Sequence, residues 1–310
     1  MKQPIKLLPA FKDYLWGGTR LKEEYGKVSD LDIVAESWEL STHKDGQSIV
    51  ASGEFKGQTL GEYIQNNPSV LGENCKKFEF FPILIKFIDA KDNLSIQVHP
   101  DDEYSLANNG EYGKTEMWYI LDCDEGASLY YGFKKEITKE EFKKSIEDNT
   151  LLDYLNKVEV KKGDVYFIEA GTVHAIGKGI VICEIQQNSN TTYRVYDYNR
   201  KDAKGNTREL HVEKAVEVSV TKPPMEYKME DDNVLAKCKY FTVEKADVDG
   251  EKEFAVDESS FKSVIVTEGT GVLSMNGTEI DVKKGDSIFV PAQNGKFTVK
   301  GNCNIIISYV

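Results

Sequence analysis

One five-residue pattern constrains the fold more than any other feature of the chain. Val160-Lys161-Lys162-Gly163-Asp164 recurs 122 residues on as Val282-Lys283-Lys284-Gly285-Asp286, and each copy leads into an apolar strand pattern. Two copies of one β-module are implied. Upstream, Gly126 and Gly132 recur as Gly271 and Gly277 at a spacing of 145, so the first copy carries 23 extra residues between its markers. That insertion, near residues 135–157, reads as helical. Thr138 and Glu141 form a capping box, in which hydroxyl and carboxylate satisfy free amides at a helix start, and Phe142, Ile146, Leu151, Leu152 and Leu155 follow. A second helix is predicted from about Thr59 through Leu60, Tyr63 and Ile64, ending by Pro68. Elsewhere short alternating runs such as Asp164–Ile168 and Lys262–Val266 predict a mainly β chain of antiparallel strands. Residues 222–232, charged and broken by Pro223-Pro224, read as a linker. The expected modules are therefore 1–225, bearing the helices, and 226–310.

A length of 310 residues suits two cores. The chain opens without a basic-then-apolar segment, and no apolar run approaches the ~20 residues a membrane span needs. Five scattered cysteines, Cys75, Cys123, Cys183, Cys238 and Cys303, form no Cys-x-x-Cys pair, which suits free thiols in a reducing cytoplasm. A net charge of -13 disfavours nucleic acid and anionic membranes as partners. An anionic small substrate would need a local basic pocket.

The chemistry-bearing residues come in three groups. Side chains two apart on a strand share a face, so Gln97 and His99 project together. Seventeen residues on, Glu116 opens another strand with Lys114 on its own side, and Gly171 turns His174 back toward the same interior. Two imidazoles, a carboxylate and an amide oxygen from neighbouring strands can hold a divalent metal, with zinc preferred for His and Glu. His43 and His211 lack such partners and read as surface or hydrogen-bonding residues. Under the two spacings Glu116 aligns with Phe261 and His174 with Lys296, so the second copy lacks these ligands and one metal per chain is expected.

Gly163-Asp164 with Gly171 and His174 resembles the second cupin motif, and Gln97-x-His99 with Glu116 resembles the first. The resemblance implies two cupin-type β-barrels (jelly rolls), the first with helical insertions and the second degenerate. More specifically, Phe81–Lys86, Leu94–Asp101, Gly113–Glu116 and Gly171–Ala175 together resemble the type I mannose-6-phosphate isomerase family in its short bacterial form. Trp16-Gly17-Gly18, Glu36–Ser41 and Glu184–Arg194 support the match. The family implies zinc on Gln97, His99, Glu116 and His174, an active-site Arg194, and interconversion of mannose 6-phosphate and fructose 6-phosphate through an enediol.

Such a reaction needs a base, a cation near the developing oxyanion and a grip on phosphate. Arg194 offers a permanent positive fork. Lys86, in the apolar strand Pro82–Ile88, is expected to bind phosphate or shuttle a proton, since an unpaired buried ammonium is costly. Ser95 and Lys114 share the metal-facing side and are expected to contact substrate. Glu184, on an apolar background, reads as a general base or as an ion-pair partner of Arg194. Trp16 and Trp38 read as core aromatics ahead of sugar platforms. The rival readings are a non-catalytic sugar-binding cupin, a metal-dependent dioxygenase on the same barrel, and a cupin glucose-6-phosphate isomerase. The chain is expected to act in the cytoplasm on a phosphorylated hexose, as a monomer or small homo-oligomer.

Overall fold

The computed structural model describes residues 2–201, 204–228, 231 and 233–310. The chain is mainly β and divides into two compact units: Met1–Lys12, Arg20–Phe87 and Met229–Val310 form one, and Asp13–Thr19 with Ile88–Lys228 the other. The units are discontinuous in sequence: Asp13–Thr19 groups with Ile88–Lys228, whereas Met1–Lys12 and Arg20–Phe87 group with the carboxy-terminal residues. Long-range pairing is the reason: Ile5–Leu8 lies antiparallel to Ser287–Val290, with Ile5 opposite Phe289, so the amino-terminal strand extends the carboxy-terminal sheet. Of the expected linker, residues 229, 230 and 232 lie outside the described residues.

In the first unit an eight-stranded sheet runs Val234–Lys237, Thr242–Val256, Gly295–Tyr309, Lys262–Met275, Ser287–Val290, Ile5–Leu8 and Ile49–Val50, with Thr278–Lys283 paired to Lys262–Met275. Its long strands alternate, so Ala246, Val248, Val264, Val266, Leu273, Ile305 and Ile307 meet in one aliphatic core. In the second unit a five-stranded sheet runs Tyr193–Tyr196, Ile96–Val98, His174–Ala175, Ser128–Phe133 and Leu155–Glu159. A further run in this unit places Glu116–Cys123 between Val165–Ile168 and Ile180–Gln187.

The repeat is visible as two matching turns. In both, the glycine takes a positive φ (92° at Gly163, 91° at Gly285), which favours a residue without Cβ. In both, the aspartate side chain accepts from the first lysine's amide, at 2.9 Å for Asp164 and 2.8 Å for Asp286. The register corrects one alignment. Ile168 lies opposite Glu116, while its counterpart Val290 lies opposite Lys262, so the position matching Glu116 holds Lys262 rather than Phe261. The first copy has one more residue than the second in the turn that ends at Gly126, and glycine spacing alone conceals this.

The expected capping box of Thr138 with Glu141 forms ahead of Lys139–Glu147, and a second, unforeseen box of Thr59 with Glu62 starts Leu60–Asn66. A short helix Leu151–Tyr154 follows Lys139–Glu147, and Phe142, Leu151 and Leu155 enter the second unit's core. Where the first copy places these helices, the second joins its strands through Asn276-Gly277. Three α-helices among the described residues escaped the sequence reading, the first the single turn Arg20–Glu23. Asp102–Asn109 starts on the Asp101 side chain and stops at Gly110, whose φ of 67° ends it. Val212–Val218 is rich in valine and carries few local signals. No helix among the described residues is long and apolar enough to cross a membrane.

Candidate metal centre and active site

Three of the predicted side chains stand on one cross-strand row of the five-stranded sheet, and two more reach it from beside the row. Arg194 is opposite Gln97, Gln97 opposite His174, and His174 opposite Tyr131, so the row shares one face. Glu116 arrives from the neighbouring run, between Ile168 and Gln186. His99 lies one residue past the end of Ile96–Val98, where its ring comes to 4.8 Å from that of His174, centroid to centroid.

The imidazoles are oriented by the backbone. His99 Nδ1 is 2.9 Å from the Thr191 carbonyl and His174 Nδ1 is 2.8 Å from that of Thr172. A carbonyl only accepts, so each Nδ1 carries the proton and each Nε2 presents its lone pair. Both lone pairs face one carboxylate: His174 Nε2 is 3.3 Å from Glu116 Oε1 and His99 Nε2 is 3.8 Å from Glu116 Oε2. His99, Glu116 and His174 are each at most 1 % exposed, and their ligand atoms all lie within 4.8 Å of one another.

This donor set fits a cation. Convergent lone pairs and a buried carboxylate repel unless a positive charge sits among them. Lys114 supplies one, with Nζ 3.1 Å from His99 Nε2 and hydrogen-bonded to Glu116. The Gln97 amide stands 3.5 Å from His174 Nε2, where a half-turn of its terminal torsion exchanges nitrogen for oxygen. Gln97, His99, Glu116 and His174 could therefore hold a metal. Burial, reinforced by the Lys114 charge, pushes the His174 imidazole down to about 4, which keeps it neutral and able to ligate near pH 7.

Arg194 and Ser95 join this site. Arg194 Nε donates to Ser95 Oγ at 3.3 Å, and Ser95 Oγ is 3.5 Å from Gln97 Oε1. Glu184 is held by Trp118, whose Nε1 donates to Oε2 at 2.9 Å, and its Oε1 lies 3.7 Å from Lys114 Nζ. The carboxylate's ionic neighbour is thus Lys114, while Arg194 donates instead to Ser95 and to the Glu209 carbonyl. Lys86 is buried, with Nζ 3.5 Å from Glu36 and 4.9 Å from the centre of the Trp38 ring. Trp16 and Trp38 are core residues, as expected, at 4 % and 0 % exposure. His43 is buried and accepts from the Asp45 amide. The Thr172 and Thr191 carbonyls went unforeseen because a backbone acceptor has no sequence signature. Trp118, beside Glu116, could have been suspected from the strand parity that places both on one face.

A buried His/Glu/His cluster on strands of a mainly β, internally repeated chain defines a metal-site protein of cupin type. Family models match twice, with the type I phosphomannose isomerase catalytic domain over residues 5–126 and the mannose-6-phosphate isomerase cupin domain over 231–310. The mannose-6-phosphate isomerase ManA of Bacillus subtilis is 39% identical, over 99% of this chain and 99% of that protein. The mannose-6-phosphate isomerase of Streptococcus mutans is 37% identical over 100% and 99%. The crystal structure of the Bacillus subtilis mannose 6-phosphate isomerase superposes with a TM-score of 0.91 at 39% identity, covering 100% of both chains. The chain belongs to the type I mannose-6-phosphate isomerase family.

Proposed function

We propose that this chain is a zinc-dependent aldose–ketose isomerase that interconverts D-mannose 6-phosphate and D-fructose 6-phosphate through an enediol(ate). The observation that carries the reading is the convergence of two backbone-oriented Nε2 atoms on the buried Glu116 carboxylate. A divalent ion held by Gln97, His99, Glu116 and His174 would act as a Lewis acid toward the C1 and C2 oxygens, with no redox change.

The chain's own groups supply the rest. Glu184, steadied by Trp118, takes the proton from one carbon and returns it to the next, and Lys114 at 3.7 Å balances the carboxylate's charge before the first transfer and after the second. Arg194 presents a fixed cationic fork to the enediolate or the phosphate, and Ser95, which accepts from it, positions a substrate hydroxyl. Lys86, with Nζ 3.5 Å from Glu36 and over the Trp38 ring, is read as the lysine that binds phosphate or shuttles a proton. The sheets are read as two cupin barrels, the first at 1–225 with a helical insertion near 135–157 and one zinc, the second at 226–310 without metal. The strand Ile5–Leu8 is lent by the first to the second. The substrate is a phosphorylated hexose in the cytoplasm, whose anion needs the local cations Arg194 and Lys114 because the chain as a whole is acidic, which disfavours nucleic acid and membranes as partners; the protein acts as a monomer or small homo-oligomer.

The test is a coupled assay of mannose 6-phosphate turnover on purified protein before and after chelation, with zinc added back, an Arg194→Ala variant and glucose 6-phosphate as rival substrate. Turnover lost on chelation, restored by zinc and absent from the variant supports the assignment. Absence of turnover in folded, metallated protein favours a binding cupin, and preference for glucose 6-phosphate moves the substrate.

A further inference from the structure

The helix Val212–Val218 begins on His211, which occupies its N-cap position but makes no side-chain capping bond. Its acceptor is spent elsewhere. Arg194 N–H donates to His211 Nδ1 at 3.2 Å, and His211 N–H donates back to the Arg194 carbonyl at 2.7 Å. Arg194 lies on the outer strand of its sheet, where, among the described residues, backbone groups turned away from Gln97 have no neighbouring strand. His211 fills that place and grips Arg194 at both backbone atoms. The same segment reaches the side chain, because Arg194 Nη1 donates to the Glu209 carbonyl at 2.9 Å. Arg208 fastens the segment with two bonds to Asp197, at 2.8 and 2.7 Å.

From this geometry we infer that His211 is a positioning residue for the isomerisation: its Nδ1 acceptor, with the Arg208–His211 segment, fixes the Arg194 guanidinium in its reactive place. The inference rests on the role given to Arg194 above. Burial holds the His211 imidazole below its usual pKa, which keeps an acceptor at Nδ1. A guanidinium stabilises developing charge only if already in place, and a shift of about 1 Å can cost 10²-fold in rate.

Asparagine supplies the test, because its Oδ1 falls where Nδ1 of histidine stands. In the zinc-loaded full chain, His211→Ala should lower kcat at least about tenfold with zinc content unchanged. His211→Asn should stay within about threefold of the parent. Combining His211→Ala with Arg194→Ala should slow the reaction no further than Arg194→Ala alone. Equal impairment of Asn and Ala, parental activity in His211→Ala, or losses that multiply in the double variant would each overturn the inference. Full activity in Arg194→Ala would instead remove the reading of Arg194 itself. Should His211→Ala fail to fold, His211→Gln replaces it: its acceptor lies one bond too far, so it should be slower than His211→Asn, and equal rates overturn the inference.

Discussion

Lys114 and a bound metal ask for the same atoms. Its ammonium lies 3.1 Å from His99 Nε2 and on the Glu116 carboxylate, two of the groups that would ligate zinc. Metal entry must therefore break both contacts. A hydrogen bond to a charged group contributes about 1.5–3 kcal/mol. Glu184, 3.7 Å from the ammonium, can take up part of that loss. A net penalty of about 1.5 kcal/mol remains, or roughly tenfold in affinity. Like-charge repulsion between ammonium and metal acts in the same direction. Lys114→Met keeps the length of the buried side chain and removes its charge. The variant should bind zinc roughly tenfold tighter or more, while turnover falls because Glu184 loses its balancing cation. Zinc affinity is read by competition with a fluorescent chelator at fixed pH, on protein checked for cooperative melting. Affinity equal to or weaker than the parent's would refute the competition argument, whatever happens to turnover.

Two further outcomes concern the scaffold. Gly163 and Gly285 share a φ near 90°, but a Cβ on Gly163 meets nothing within 4 Å whereas one on Gly285 would stand 2.1 Å from the Tyr25 carbonyl. Gly163→Ala should cost about 1–2 kcal/mol and Gly285→Ala clearly more, and equal shifts in thermal melting would contradict this. Burial raises the Asp197 carboxyl, but bonds from Arg208 and Arg200 outweigh it and hold the pKa below the usual value. Its contribution to stability is present above the ordinary carboxylate pKa and lost as pH falls through the depressed one. Asp197→Asn should flatten the acid limb of a melting-temperature profile, and an unchanged slope there would count against the cluster.

What could be read in the sequence was carried by local rules. The Val-Lys-Lys-Gly-Asp turns, the helix start near Thr59, the Thr138 box, and the placement of Gln97, His99, Glu116 and His174 each depend on spacings of a few residues, where strand parity or helix capping leaves a mark. What escaped depends on distant pairing. Nothing in Ile5–Leu8 names Ser287–Val290 as its neighbour. A single residue in the turn before Gly126 shifts the counterpart of Glu116 from Phe261 to Lys262, because glycine markers locate a turn without fixing strand register. His211 was left among surface or hydrogen-bonding residues for the same reason: its partner is the amide of Arg194, 17 positions away.

The helix that begins at His211 is also held at its far end. Lys139, at the start of the helix Lys139–Glu147, donates to the carbonyls of Val216 at 2.5 Å, Glu217 at 3.1 Å and Ser219. One ammonium thus anchors the end of a rod whose beginning grips Arg194. The peripheral helices are in effect the handle of a lever, and their length is not free to drift. An insertion or deletion between Phe133 and Leu155 that moved Lys139 by one helical turn would be felt at the guanidinium without altering any residue of the site.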